Sequence, residues 1–227
     1  LPTGGWASAG GAPSGGALLG TVVHRVLGAW DFADAMSLES AARRVSGGMA
    51  FTQVEDMTAL TDEAVAMIAR AHAAGLFAEI AASAERRTEY PLAAPVDGFV
   101  VDGIIDSVHR LADGSWEIVD YKTDRVSGDE VARTAAHYEP QVASYAVALA
   151  KSGREVSRVS LLFLRALERH VWRCDAAQLD AWEKLLASIV ADIRGGRFER
   201  RGEGPCRCGF GWVCGRERGE VDELDLV

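Results

Sequence analysis

Between Arg86 and Lys122 three β-rich runs follow one another with only short breaks, and helical periodicity lies on both sides of them. Few folds accept that order. Residues 86–92 (RRTEYPL), 98–109 (GFVVDGIIDSVH) and 115–122 (SWEIVDYK) are rich in β-branched and aromatic residues and are separated by Gly and Asp-Gly. These are the marks of strands. Upstream, residues 18–30 (LLGTVVHRVLGAW) carry apolar side chains at helical spacing, and 37–46 suggest a second helix stopped by Gly47-Gly48. Thr61 or Asp62 is placed to cap a third helix running to about Ala74, with Gly75 as its stop, and a fourth short helix covers about 76–84. Downstream, Ser127 and Glu130 form a capping box that opens a long helix to about Ala150. Residues 156–166 and 169–174 read as two more strands, and Asp175 caps a helix to about Arg194 that Gly195-Gly196 ends. Helices, three strands, a long helix, two strands and a helix imply one α/β core. Its centre is a mixed β-sheet of about five strands flanked by helices, with extra helices at the N-terminal end.

Residues 1–17 are Gly, Ala, Ser and Pro around one Trp and read as a flexible linker. The core domain then covers 18–196, and 197–227 form an Arg- and Cys-rich tail. The chain opens on Leu, as a piece of a longer protein would. No apolar run approaches a membrane span, and no signal segment opens the chain. Four Cys in 227 residues are too few for a disulfide scaffold, so a reducing cytoplasm is the expected compartment. A net charge of −9 argues against a surface coated with positive charge for non-specific nucleic-acid binding. It leaves room for an enzyme acting on nucleic acid, because carboxylates that hold metal ions also count as negative.

Chemistry concentrates around Asp120-Tyr121-Lys122. On a strand, alternate residues share a face, so Asp120 and Lys122 lie together with Trp116 and Ile118. Asp106 interrupts the apolar run of the preceding strand. A two-residue turn at Asp113-Gly114 would set Asp106 opposite Tyr121, on the wrong face. An odd-numbered loop centred on Gly114, or a bulge, instead sets it opposite Lys122 and brings two acids and a Lys to one face. Two converging carboxylates repel unless a cation sits between them, and such oxygen-rich sites suit Mg²⁺ or Mn²⁺. Gly20 and His24, four residues apart, share one face of the first helix, as do Gln141 and Tyr145 on the long helix with Tyr138 one turn earlier. Taken singly, each feature has an ordinary alternative: a salt-bridged strand end, an edge-strand Asp, a structural His, a helix face packed on a sheet.

Taken together, Gly20-x-x-x-His24, Glu89-Tyr90-Pro91-Leu92, Gly103-Ile104-Ile105-Asp106, Asp120-Tyr121-Lys122-Thr123 and Gln141-x-x-x-Tyr145 resemble the PD-(D/E)xK nucleases. The similarity is closer to their RecB-like branch. That branch includes the C-terminal nuclease domains of RecB- and AddA/AddB-type helicase–nucleases and the CRISPR-associated iron–sulfur exonucleases. The resemblance spans about residues 18–150 and implies a restriction-endonuclease-like core and a metal-dependent DNase, hydrolysing the phosphodiester bonds of DNA. It implies His24, Asp106 and Asp120 as metal ligands, with the Tyr121 carbonyl as a backbone ligand. It makes Lys122 the residue that orients or helps deprotonate the attacking water and stabilises phosphate charge. It implies that Gln141 and Tyr145 position the DNA strand or Lys122, and that Glu89 assists the metal from outside its ligand set. No Walker A sequence is present, so a helicase motor would lie elsewhere in a longer chain or in a partner subunit. The alternatives are a standalone single-strand exonuclease of the CRISPR-associated type and a catalytically silent DNA-binding scaffold.

Cys206-x-Cys208-x₅-Cys214 is similar to the C-terminal Cys cluster of the iron–sulfur members, but its first gap is one residue short and no Cys precedes Cys174. A 4Fe–4S centre takes four thiolates, so Cys174 would have to complete the set. A structural Zn²⁺ and simple reduced thiols are the alternatives. Arg125 and Arg133, and Arg194, Arg197, Arg200 and Arg201 in a stretch with seven Arg against three acids between 194 and 218, are candidate DNA contacts. A solvated polar face accounts for any one of them equally well.

Overall fold

The computed structural model describes residues 15–49, 57–96 and 98–197. Along the chain run α1 (Gly15–Ala29), α2 (Ala35–Gly48), α3 (Met57–Ala73), α4 (Ala78–Ala82), β1 (Arg86–Val96), β2 (Phe99–Arg110) and β3 (Trp116–Lys122). Then come α5 (Gly128–Lys151), β4 (Val156–Phe163), β5 (Glu168–Arg173) and α6 (Ala176–Arg194). From Leu19 onward these elements belong to one compact unit, residues 19–198. Two expected segments, the linker over 1–14 and the tail over 198–227, lie outside the described residues. No helix among the described residues is long and apolar enough to cross a membrane.

Side-chain caps start α2, α5 and α6. Ser127 N–H donates to Glu130 Oε2 at 3.0 Å, closing the expected box on α5. Asp175 accepts from Gln178 N–H at 2.8 Å on α6. Several boundaries differ from expectation. α1 takes in 15–17, which composition assigns to the linker. α2 starts two residues early because Asp34 caps it, and Ser37 closes a capping box from the third position. It also runs through Gly47 and Gly48 instead of stopping before them. α3 starts at Met57, so Thr61 is no cap. Its buried hydroxyl bonds back to the Met57 carbonyl at 2.7 Å from inside the helix. Gly75, with φ of +80°, does end that helix. β1 continues through Pro91 and Pro95 to Val96, which an edge strand tolerates.

The five strands form one mixed sheet in the order β1-β2-β3-β4-β5. β1, β2 and β3 form an antiparallel meander, β3 and β4 are parallel, and β4 pairs antiparallel with β5. A parallel pair needs a crossover, and α5 supplies it. α5 and α6 cover one face over Ile118, Val108, Val159, Leu161 and Phe163 of the sheet. On the other side the Trp30 ring lies tilted against Phe32, and Phe32, Phe77 and Tyr121 meet edge-on in turn. Covered on both faces, β3 is buried along its whole middle.

The register between β2 and β3 differs from the expected one. Ser107 faces Val119, Val108 faces Ile118 and His109 faces Glu117, so Asp106 comes level with Asp120 rather than with Lys122. The connection is a five-residue loop in which Leu111 N–H bonds Ser115 O at 2.8 Å and Gly114 is left-handed at φ +91°. An odd-numbered loop with left-handed Gly114 is the expected device. It is longer than the one that would pair Asp106 with Lys122, and the pairing slides by two residues. The parity survives, so the three side chains still share a face.

β1 carries a second irregularity. Glu89 has φ of +48° and drops out of the ladder with its opposite number Asp106, while Thr88 pairs with Ser107 and Tyr90 with Ile105. Thr88 bonds the Gly28 carbonyl on α1 at 2.9 Å, whereas Tyr90, Leu92, Ala94 and Val96 pack with the α5 cluster. The strand changes face at Glu89, and this break frees Asp106 from regular pairing.

Candidate active site

At the C-terminal end of β3, beside Asp106 within β2, side chains from four elements meet. Asp106 Oδ1 lies 3.0 Å from His24 Nδ1 on α1, and Asp106 Oδ2 accepts from the Tyr121 N–H at 2.8 Å. Asp106 thus occupies the space where β2 and β3 part and takes the donor that a ladder partner would have taken. Asp120 Oδ2 is 2.7 Å from Lys122 Nζ. Lys122 Nζ donates to Gln141 Oε1 at 3.1 Å, and Gln141 Nε2 donates to the Tyr145 hydroxyl at 3.2 Å. Two glycines let these elements close in. A Cβ on Gly20 would stand 3.4 Å from Thr123 Oγ1, so α1 passes directly over the end of β3. A Cβ on Gly103 would stand 3.3 Å from the Tyr145 ring.

The electrostatics follow from burial and like charge. Asp120 is only 3% exposed at its side chain. Burial, then the charge of Asp106, pushes its carboxyl up to about 6, against the pull of Lys122 and His24. Burial alone would push the His24 imidazole down. The hydrogen bond and charge of Asp106, with the charge of Asp120, outweigh it and raise the pKa. Glu89 lies against α1 where Gly28 has no side chain, and a Cβ there would come within 2.9 Å of its Cγ. Burial and the charge of Asp106 raise its carboxyl as well. Burial first, and the charge of Asp106 second, thus disfavour the ionised form of both Asp120 and Glu89.

Among the described residues, no three His, Cys, Asp or Glu side chains are placed to grip one ion as they stand. His24 and Asp106 bond each other and Asp120 pairs with Lys122. The donor set nevertheless suits a hard divalent cation: an imidazole and two carboxylates, one of them raised by burial and by its neighbour's charge. A cation there would relieve that repulsion.

A family model, the PD-(D/E)XK nuclease superfamily, matches residues 9–215. The chain belongs to this superfamily. Asp120-Tyr121-Lys122 has the (D/E)-X-K order of the superfamily's name. No curated protein matches the sequence. One solved structure, that of SSO0001, is similar with a TM-score of 0.37 and 13% identity, over 79% of this chain and 77% of that one.

The remaining expected site residues of this nuclease-superfamily chain are scattered. Tyr121 contributes its N–H, as above, and buries its ring between His24 and Phe77. Cys174 sits in the apolar cluster under α5 and α6, where burial pushes its thiol up to about 12, far from the thiolate a metal needs. Cys206, Cys208 and Cys214 lie outside the described residues, as do Arg200 and Arg201. Arg125 and Arg133 are exposed near the start of α5. Arg194 donates to the Gly98 carbonyl at 2.9 Å, at the far end of β2 from Asp106, and Arg197 pairs with Asp192 at 2.7 Å. Sequence reasoning passes over Asp124 and gives Tyr138 no task. The Tyr138 ring lies under Lys122, and its hydroxyl bonds Asp124. The spacing of Tyr138 and Gln141, three apart on one helical face, is the signal that points to it.

Proposed function

We propose that this chain is a divalent-metal-dependent deoxyribonuclease of the RecB-like branch. In this reading it is the exonuclease module of a cytoplasmic helicase–nuclease that processes double-strand breaks for repair and recombination, with a helicase motor in the same longer chain or a partner subunit. One observation carries it: Asp106, Asp120 and His24 converge beside the ammonium of Lys122.

His24, Asp106 and Asp120, with the Tyr121 carbonyl, would hold Mg²⁺ or Mn²⁺, and Glu89 would add negative charge from outside that set. When bound, such a cation supplies Lewis acidity toward water and phosphate. Lys122 places a point charge where the attacked phosphate gathers negative charge. It also accepts the task of orienting the attacking water. Gln141 holds the Lys122 ammonium, and Tyr145 holds Gln141 in turn. The hydrogen bonds therefore favour positioning of Lys122 over contact with the strand as the work of the Gln141–Tyr145 pair. Asp106, fixed from one side by the Tyr121 N–H, keeps its second oxygen toward His24 and the opening.

The test is incubation with linear and circular DNA, single- and double-stranded, in Mg²⁺, Mn²⁺ or EDTA. Linear DNA should be degraded with either metal and left intact in EDTA. Asp120→Ala and Lys122→Ala should each lower the rate on the order of a hundredfold or more, with the circular-dichroism spectrum unchanged. No metal-dependent cleavage by the wild-type chain would favour a DNA-binding scaffold. Undiminished cleavage by either variant would refute the site.

A further inference from the structure

Lys122 ends a long flexible stem, yet its ammonium is surrounded. Three N–H bonds leave Nζ, and three neighbours stand around it. Asp120 Oδ2 is at 2.7 Å, Gln141 Oε1 at 3.1 Å, and the centre of the Tyr138 ring at 3.8 Å. The first two are accounted for by the nuclease reading. The third is not. A cation over the face of a Tyr ring is attracted by the ring's negative face, more strongly where water is excluded. Lys122 is 11% exposed at its side chain, so that attraction acts in a largely dry site.

The ring is itself held. Tyr138 projects from α5 one turn before Gln141, and its hydroxyl donates to Asp124 at 2.9 Å to Oδ1 and 3.1 Å to Oδ2. Burial and the Asp124 carboxylate raise the phenol's pKa further above its already high value, so it stays a donor. Asp124 follows Lys122 by two residues, just beyond the end of β3. The strand end and the helix are thus tied twice, through Lys122–Gln141 and through Asp124–Tyr138, with the ring between the two ties.

We propose that Tyr138 is a positioning residue for Lys122: its ring face, oriented by the hydrogen bond to Asp124, fixes the ammonium beside Asp120. The catalytic consequence rests on the nuclease reading above, whereas the placement of the ammonium does not. With the ring removed, the ammonium keeps two of three neighbours and swings about its stem. The loss then falls on the chemical step rather than on DNA binding.

Two readouts test this on the 227-residue chain. The first is steady-state cleavage of linear DNA in Mn²⁺. Tyr138→Leu should lower kcat on the order of tenfold to a hundredfold with KM within about twofold, the size expected from misplacing a reacting group. Tyr138→Phe, which keeps the ring, should restore most of the loss. Asp124→Ala, which leaves the helix packing untouched, should match Tyr138→Phe, and the double variant should be no worse than either single one, because both remove the same hydrogen bond. The second readout is the ε-methylene NMR signal of Lys122, one of only three lysines in the chain. The ring should shift it upfield in the wild type and in Tyr138→Phe, and the shift should vanish in Tyr138→Leu. Unshifted Lys122 in the wild type, unchanged kcat in Tyr138→Leu, or equal losses in the Phe and Leu variants would each overturn the proposal. An inactive wild type would sink the nuclease reading instead, and the lysine signal would still decide whether Tyr138 holds the ammonium.

Discussion

Asp120 bears most of the electrostatic strain of the site. Its carboxyl has an ordinary value of 3.8 and is raised to about 6 by burial first and by Asp106 second. Between those values the folded state binds more protons than the unfolded one, so stability falls as pH rises from about 4 through 6 and stays low above that. Asparagine has the shape of the protonated acid without the charge. Asp120→Asn should therefore melt higher than the wild type at pH 8 in EDTA, and the gap should close toward pH 4. Melting curves across that range check it, and equal melting temperatures at both ends would contradict it. A residue whose removal stabilises the fold while abolishing activity is what a working site looks like. Glu89 shows a related cost in its backbone, held at φ +48° where few side chains settle.

Among the elements, the buried end of β3 far from the site is held by charge. Glu117 is fully buried, bonds Ser160, Arg158 and Arg169, and has His109 Nε2 at 3.3 Å. Glu79 on α4 pairs with the same two arginines, tying the helix to β4 and β5. Burial alone would push the Glu117 carboxyl up. The hydrogen bonds from His109, Arg158 and Ser160 and the charge of Arg169 overcome it and hold it at about 2. Its folded value lies below the ordinary 4.5, so this stabilisation is complete above about 4.5 and is lost as pH falls toward 2. Glu117→Gln should destabilise the protein by roughly 3 kcal/mol at neutral pH, measured by urea unfolding, because it removes the buried charge shared by two partly buried guanidinium groups and leaves them Glu79 as their ionic partner. A change within the error of the measurement would show that the network holds nothing. None of this is legible along the chain. Glu117 and Arg158 meet only through the parallel register of β3 and β4 across the α5 crossover. By contrast, the sharing of one face by Asp106, Asp120 and Lys122 follows from the two-residue period of strands alone. Their level did not, because it depends on the length of the 111–115 loop. The start of α3 is hidden too: Thr61 is a capping residue type, but it lies inside a helix that begins at Met57.

For the molecule as a whole, the order of periodicities was enough to expect a mixed five-stranded sheet with a helical crossover, because parallel strands cannot be joined any other way. The five motifs come from α1, β1, β2, β3 and α5, far apart in sequence, and the fold gathers His24, Asp106, Asp120, Lys122, Gln141 and Tyr145 into one chain of contacts. Whether that cation binds where the acids meet is the claim on which the function turns. Mn²⁺ uptake, followed by the paramagnetic resonance signal of the free ion, measures it without DNA. The wild type should bind Mn²⁺, and Asp106→Ala and Asp120→Ala should each bind it on the order of a hundredfold more weakly. Equal Mn²⁺ affinity in all three proteins would contradict the account.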